Sequence, residues 1–215
     1  MTGVIIENSK WTPYLKYGER RFYRRKSIIY EEKQDGFQGF YYIRSGLIKI
    51  SSTIYTGKQQ IIDIVCSENP FGEQVVDGGS YFSTATAITD SIVYVFSIER
   101  IQSVLKEDEN FRKLFYQSLI EKLKILSNNV LSDSLPSEIL LARTLIILKE
   151  KFISDQFPFT QQELCYYTNL NRNTIYHIFK KWNGRVASLD KRSIIIHNIG
   201  ALKEIAAIKF DAHEI

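Results

Sequence analysis

The chain has 215 residues, 44% of them hydrophobic and 24% charged, and a formal net charge of +4 at pH 7. This is ordinary globular composition, long enough for one large or two modest domains, each with its own core, and two is the starting expectation. No apolar run approaches the ~18 residues of a membrane span, so no membrane segment is expected, and so mild a net charge says little about nucleic acid by itself. The opening MTGVIIENSKW lacks the basic start and unbroken apolar stretch of a secretory signal, so a cytoplasmic location is expected. Cys66 and Cys165 stand 99 positions apart with no CxxC partner, which excludes a locally built iron-sulfur or structural zinc site. Both are expected as small buried residues.

A short basic run, Arg20 to Lys26, leads into the first structured region. From about Lys26 to Phe96 the chain reads as short strands rich in Ile, Val, Tyr, Phe and Thr, punctuated by Gly, Asn, Asp and Ser. FYYIRSGLIKISS sets two alternating runs around Ser45-Gly46, and IYTGKQQIIDIV repeats the arrangement around Thr56-Gly57. In both, glycine can take the positive φ of a tight reversal. ENPFGEQVVDGGSYFS is turn-rich, and TATAITDSIVYVFS returns to strand. Many short strands at this spacing predict a closed or rolled antiparallel barrel.

Ser97 is a natural N-cap with Glu99 in the first turn, and from there to about Ser134 the apolar period shortens to helical spacing. Tyr116, Leu119, Leu123, Leu126 and Val130 step by three and four, the seam of a two-stranded coiled coil, while Glu121, Lys122 and Lys124 point away. The same stripe could pack on the chain's own barrel. Its persistence over two heptads on a helix leaving a closed domain favours a homodimer. Leu135-Pro136 interrupts the helix and marks a boundary. The expected organisation is residues 1–97 as a β-roll, 98–134 as a long dimerisation helix and 135–215 as a third region. Within that last region SEILLARTLIILKEKF is an amphipathic helix and DQFPFT a short linker.

In FTQQELCYYTNLNRNTIYHIFKKW, Thr160 and Glu163 match the capping box and start one helix. Asn169 tolerates the left-handed conformation that stops it, and Asn171 caps the next. Leu164, Leu170, Ile175 and Ile178 supply shared apolar contacts, with Cys165 small where two crossing helices come closest. This is helix-turn-helix spacing, in which the first turn of the second helix enters the major groove of duplex DNA. Arg172, Asn173 and His177 are the expected base readers, because Arg pairs well with guanine and Asn with adenine. Thr160, Gln161, Thr174 and Lys180 are expected on phosphates, which fix register. RVASLDKRSIIIHN reads as two strands forming a wing that brings Lys191 and Arg192 to the DNA backbone. Six basic residues stand against one acid between Thr168 and Arg192, a balance that a merely solvated helix face would also show.

The order of roll, long helix and winged helix-turn-helix resembles the cyclic AMP receptor protein and FNR (CRP/FNR) family of bacterial transcription regulators over nearly all of residues 20 to 200. Its most specific pieces are YYIRSGLIKI, PFGE and TQQELCYYTNLNRNTIYHIFK. The resemblance implies an α+β chain: an N-terminal antiparallel β-roll of the cyclic-nucleotide-binding jelly-roll type, a long dimerisation helix and a C-terminal winged helix-turn-helix. It also implies a homodimer, a small-molecule or redox sensor in the roll, and double-stranded DNA read by the residues matching Arg172, Asn173 and His177. RNA polymerase is a further expected partner.

One departure bears on the ligand. Relatives that bind cyclic nucleotides follow the pair matching Gly72-Glu73 with an arginine that neutralises the cyclic phosphate. Here that stretch reads DGGSYFSTATA, and no arginine occurs between Arg44 and Arg100. Without a guanidinium a buried phosphate loses charge-assisted hydrogen bonds, which argues against cyclic AMP. Glu73 is either a turn residue or a ligand contact. Phe71, Tyr81 and Phe82, facing Ser127 and Asn128, are either core or the lining of a less polar effector pocket. Two regulators therefore remain in view, one answering an unidentified uncharged or carboxylate effector and one constitutive with a passive roll. An enzyme is not expected: His177, His197 and His213 all lie outside the roll, so the imidazole-rich metal site of rolled oxygenases cannot be assembled there.

Overall fold

The computed structural model describes residues 9–207 except 36, 38, 56, 76–78, 133 and 191, with nothing described for the side chains of 131 and 132. Two compact units form, Met1–Ile125 and Leu126–Ile215, and the division falls inside a helix.

The first unit contains β1 (Glu19–Tyr23), β2 (Ile28–Tyr30), β3 (Gly39–Ser45), β4 (Leu47–Thr53), β5 (Gln59–Cys66), β6 (Pro70–Phe71), β7 (Thr84–Ala87) and β8 (Ser91–Ser97). They pair antiparallel in two four-stranded sheets, β1-β8-β3-β6 and β2-β7-β4-β5. Alternation along β3 and β8 explains why two cores form. Tyr41, Ile43, Val93 and Val95 point between the sheets, joining Tyr30, Ile48, Val65, Phe71 and Tyr81. Phe40, Tyr42 and Phe96 point the other way, into a helical layer with Trp11, Tyr14, Ile101, Phe111 and Phe115. Each fully buried aromatic there contributes roughly 1.5–3 kcal/mol of apolar burial.

Gly46 has φ +108° as a reversal would need, but β3 and β4 belong to different sheets. The expected hairpin at Ser45-Gly46 is therefore a corner. A Cβ there would lie 2.1 Å from Ser91 Oγ, so glycine is required by proximity as well as by φ. The β4–β5 pair is a true hairpin, with Gly57 at φ +79° and its N–H donating to the Ile54 carbonyl at 2.8 Å. Thr56 of that expected turn lies outside the described residues.

The single helix expected over 98–134 is two: α1 (Ile98–Glu107) and α2 (Glu109–Ser132). Asp108 breaks it. Its backbone is extended, and its Oδ1 accepts from the N–H groups of Asn110 and Phe111 at 2.9 and 3.0 Å, capping α2. The Phe111 N–H, with the Tyr14 hydroxyl and the Asn110 N–H adding to it, holds the Asp108 carboxyl below its ordinary pKa. Cys66, expected buried, is half-buried, whereas Cys165 is buried.

The second unit contains α3 (Ser137–Phe152), β9 (Gln156–Phe157), α4 (Gln161–Thr168), α5 (Arg172–Trp182), β10 (Ala187–Leu189), β11 (Ile194–Ile196) and α6 (Ile199–Ala207). Pro136 stands at the N-cap of α3, consistent with its preference for helix starts. DQFPFT is more than a linker: its β9 pairs with β11 in a three-stranded sheet ordered β10-β11-β9, and Phe157 and Phe159 are buried. Beyond the β10–β11 hairpin, α6 packs on α3, burying Leu202, with Arg143 Nε donating to the Ala206 carbonyl at 3.1 Å. Among the described residues no helix is long and apolar enough to cross a membrane.

Candidate nucleic-acid interface and roll interior

Local chemistry sets the α4–α5 pair. Thr160 Oγ1 accepts from the Glu163 N–H at 3.2 Å while Glu163 Oε2 accepts from the Thr160 N–H at 2.8 Å, completing the capping box. Asn169 ends α4 at φ 57°, in the left-handed region. Asn171 Oδ1 then accepts from the Thr174 N–H at 2.8 Å and starts α5 two residues later. Leu164, Cys165, Ile175 and Ile178 are buried, so the two helices share one apolar seam. Trp182 anchors the far end, its Nε1 donating to Glu138 Oε1 at 2.9 Å beside the Lys181–Glu138 ion pair. Burial acts to raise the Glu138 carboxyl, but these two donors outweigh it and hold the group low.

The polar side of α5 is its exposed side. At 100° per residue, Arg172, Asn173, Tyr176, His177 and Lys180 fall in an arc of about 140°, opposite buried Ile175, Ile178, Phe179 and Trp182. The three expected base readers are thus brought to one exposed face. Tyr176, 56% exposed and edge-on to the His177 ring at 5.6 Å, belongs to the same face. Its position four residues after Arg172 was the sequence signal for it. The expected phosphate contacts divide. Lys180 and Arg192 are exposed, whereas Lys191 lies outside the described residues. Thr160 and Thr174 donate their hydroxyl protons to neighbouring side chains, Glu163 Oε2 at 2.9 Å and Asn171 Oδ1 at 3.0 Å. Gln161 also faces a protein partner, Arg172: its Oε1 accepts from Arg172 Nε and its Nε2 donates to the Arg172 carbonyl, each at 3.0 Å. No local pattern could signal a pairing across that turn.

In the roll interior several described aromatic and polar groups partner one another. Tyr30 and Tyr81 stack with centroids 3.9 Å apart and planes 8° from parallel, and Tyr41 and Phe71 stack beside them. Gln74 ties the stack to the loop, its Nε2 donating to Tyr30 Oη at 3.2 Å and Ser83 Oγ at 2.9 Å, its Oε1 accepting from the Phe82 N–H. Burial pushes the Tyr30, Tyr41 and Tyr81 phenols above their ordinary pKa. Of the expected pocket lining, Phe71 and Tyr81 are therefore core rings. Phe82 points outward at 65% exposure, and Ser127 and Asn128 are exposed and belong to the second unit. Gly72 takes φ +77°, where a Cβ would lie 2.8 Å from the Tyr41 ring.

Glu73 is more than a turn residue. Its buried carboxylate receives Lys122 Nζ at 2.6 Å and Ser118 Oγ at 3.3 Å, and Lys122 also donates to the Pro70 carbonyl. Lys122, expected to point away, is thus turned onto the PFGE turn because a buried carboxylate requires a counter-charge. The expected seam shifts likewise. Leu119 packs in the helical layer, and Ile120 joins Tyr116, Leu123, Leu126 and Val130 on a face whose members are 48–71% exposed. Among the described residues no group of three or more His, Cys, Asp or Glu is placed to hold a metal ion.

Residues 20–108 match the family described as the cyclic nucleotide-binding domain. Solved structures share the wider architecture. A CRP/FNR family transcriptional regulator from Thermus thermophilus superposes with a TM-score of 0.78 at 17% identity, covering 89% of this chain and 100% of its own. The c-di-GMP responsive global regulator CLP of Xanthomonas campestris gives 0.75 at 15% identity, with coverage of 89% and 100%. FixK2 from Bradyrhizobium japonicum gives 0.73 at 17% identity, with coverage of 90% and 99%. No curated protein matches the sequence. The chain carries a cyclic-nucleotide-binding β-roll and has the fold of CRP/FNR regulators.

Proposed function

We propose that this chain is a sequence-specific DNA-binding transcription regulator of the CRP/FNR type and not an enzyme, acting as a homodimer and answering a small-molecule effector other than cyclic AMP. In this reading α4 and α5 are a helix-turn-helix, α5 enters the major groove, and the β10–β11 hairpin is the wing. The observation that carries it is the exposed arc of Arg172, Asn173, Tyr176, His177 and Lys180 on a helix whose opposite side is buried. A structural helix gains nothing from such a row of unburied edge-reading groups, whereas a reading helix requires it. The exposed face of Tyr116, Ile120, Leu123, Leu126 and Val130 supports pairing of two α2 helices. Two reading heads would then address half-sites about one helical turn, ~34 Å, apart, with RNA polymerase as the downstream partner.

The effector part rests on the absent arginine, and a protein of the same fold, the Xanthomonas regulator, is c-di-GMP responsive. A second reading, a constitutive DNA-binding regulator with a ligand-free roll, is favoured by one observation. Tyr30 and Tyr81 stack on each other and Lys122 pairs with Glu73, so these four groups have partners without a ligand.

Selection of bound sequences from a random duplex library at low salt tests the core of the proposal. A two-fold symmetric motif is expected, and recovery of no enriched sequence would end it. A thermal-shift screen of metabolites, with DNA affinity measured alongside, separates the two readings. A compound that moves both quantities supports the effector, and a screen in which neither moves supports the constitutive roll.

A further inference from the structure

Gln161 was expected to touch phosphate, yet its amide closes a two-bond clasp on the first residue of α5. Oε1 takes the Arg172 Nε proton and Nε2 donates to the Arg172 carbonyl, both at 3.0 Å. A guanidinium can present two kinds of paired-donor edge, the side edge through Nε and one amino group, or the end edge through both amino groups. The clasp occupies the side edge. What the exposed side chain of Arg172 has left to offer is the end edge, two parallel N–H donors projecting from the start of α5.

Two adjacent donors need two adjacent acceptors. In the major groove guanine presents N7 and O6 side by side, whereas adenine sets a donor at N6 beside its N7 and would meet the guanidinium donor to donor. The clasp also removes rotamer freedom from a long side chain before DNA arrives, so less is lost on binding. We infer that Gln161 is a positioning residue that sets Arg172 to read one guanine, so that the specificity of this base position depends on a side chain that itself touches no base. This rests on the DNA-binding reading above.

The test compares base preferences, since a phosphate contact and a positioning clasp differ there. Sequence selection is run on the full-length chain as wild type, Gln161→Leu, Gln161→Glu and Arg172→Ala, with thermal melting to confirm that each folds. Wild type should favour guanine at one position by roughly tenfold or more, the range of a good bidentate contact. Gln161→Leu should bring that position to within about twofold of the next base and leave the others unchanged. Gln161→Glu, which keeps the acceptor for Nε, should retain the guanine. Arg172→Ala should lose the same preference, and Gln161→Leu added to it should remove nothing more. If Gln161→Leu weakens all sequences evenly while guanine stays preferred, Gln161 is a phosphate contact and the inference fails with DNA reading intact. The same follows if Arg172→Ala leaves every preference unchanged. If the wild type selects no motif, the DNA-binding reading falls and takes the inference with it. Should Gln161→Leu fail to fold, Gln161→Ala carries the same comparison.

Discussion

The roll interior and the exposed face of α5 are both built from polar and aromatic groups, and they treat those groups in opposite ways. In the roll, Glu73 is answered by Lys122 and Ser118, and the Tyr30, Tyr41 and Tyr81 rings stack on one another. On α5, Asn173, Tyr176 and His177 stand exposed, as does Arg172 beyond its Nε bond to Gln161, on a helix that is otherwise well anchored. The contrast supports the proposed placing of the partner site on α5. A buried carboxylate cannot wait for one, because leaving it unpaired costs several kcal/mol, so the chain supplies its own cation. Exposed groups are hydrated in the meantime and can exchange water for a partner later.

The sharpest way to break this contrast is to hollow the roll. Tyr81→Ala removes one ring of the 3.9 Å stack and should lower the stability of the first unit by roughly 3–5 kcal/mol. The two tryptophans separate the units, because Trp11 lies in the first and Trp182 in the second. With fluorotryptophan labelling, the Trp11 resonance should unfold at lower denaturant while that of Trp182 keeps its midpoint. Both resonances moving together would show that the interiors unfold as one.

Lys122→Met is the next largest change. It leaves the Glu73 carboxylate, with only 4% of its side chain exposed, facing a thioether. Because Lys122 is itself about a third exposed, the loss should be smaller than for a fully buried pair, about 2–3 kcal/mol by chemical denaturation at neutral pH. The double variant Lys122→Met/Glu73→Gln should recover much of it, since it removes the unpaired charge. If the double variant is less stable than the single one, the pair is not what holds the PFGE turn.

The two regions also differ in how much of them the sequence reveals. The α4–α5 pair was legible because its determinants are local: Thr160 with Glu163, Asn169 in the left-handed region and Asn171 with Thr174 all act within four residues. The roll was legible as a class but not in its connections. Gly46 satisfies a hairpin turn and a corner between sheets equally well, and two-residue strands such as β6 and β9 are too short to show alternation. Adjacent Leu119 and Ile120 leave the apolar stripe of α2 ambiguous by one position, and only packing against the helical-layer core decided which turned inward. The partners of Glu73 and Gln161 lie 49 and 11 residues away, beyond any local pattern.

If exposure on α5 serves a partner, the cap that starts the helix must matter more to reading than to folding. Asn171→Ala removes the acceptor for the Thr174 N–H and should cost about 1 kcal/mol of stability in the second unit, read from the Trp182 resonance. In the proposed regulator the same change frays the turn that carries Arg172 and Asn173, so cognate DNA affinity should fall by a larger factor than random-sequence affinity. Equal falls on both would mean that the first turn of α5 does not read bases.

The smallest effect is a control on the premise that an exposed group has a purpose. Ile153 is 91% exposed and ends α3 at φ 52°, a left-handed conformation that a β-branched residue adopts at a cost. Its N–H donates to the Lys149 carbonyl, a bond that any residue with an N–H can make. Glycine accepts this geometry without a Cβ clash, although it loses more freedom on folding, so Ile153→Gly should stabilise the second unit by a net amount of about 0.5–1 kcal/mol. Unlike Arg172 or His177, Ile153 stands outside the polar arc, and DNA affinity should not change with it. A gain in stability with unaltered affinity assigns the exposure of Ile153 to backbone geometry alone. A loss of affinity would extend the proposed functional surface from α5 to the end of α3 and weaken the division between paired roll groups and exposed α5 groups.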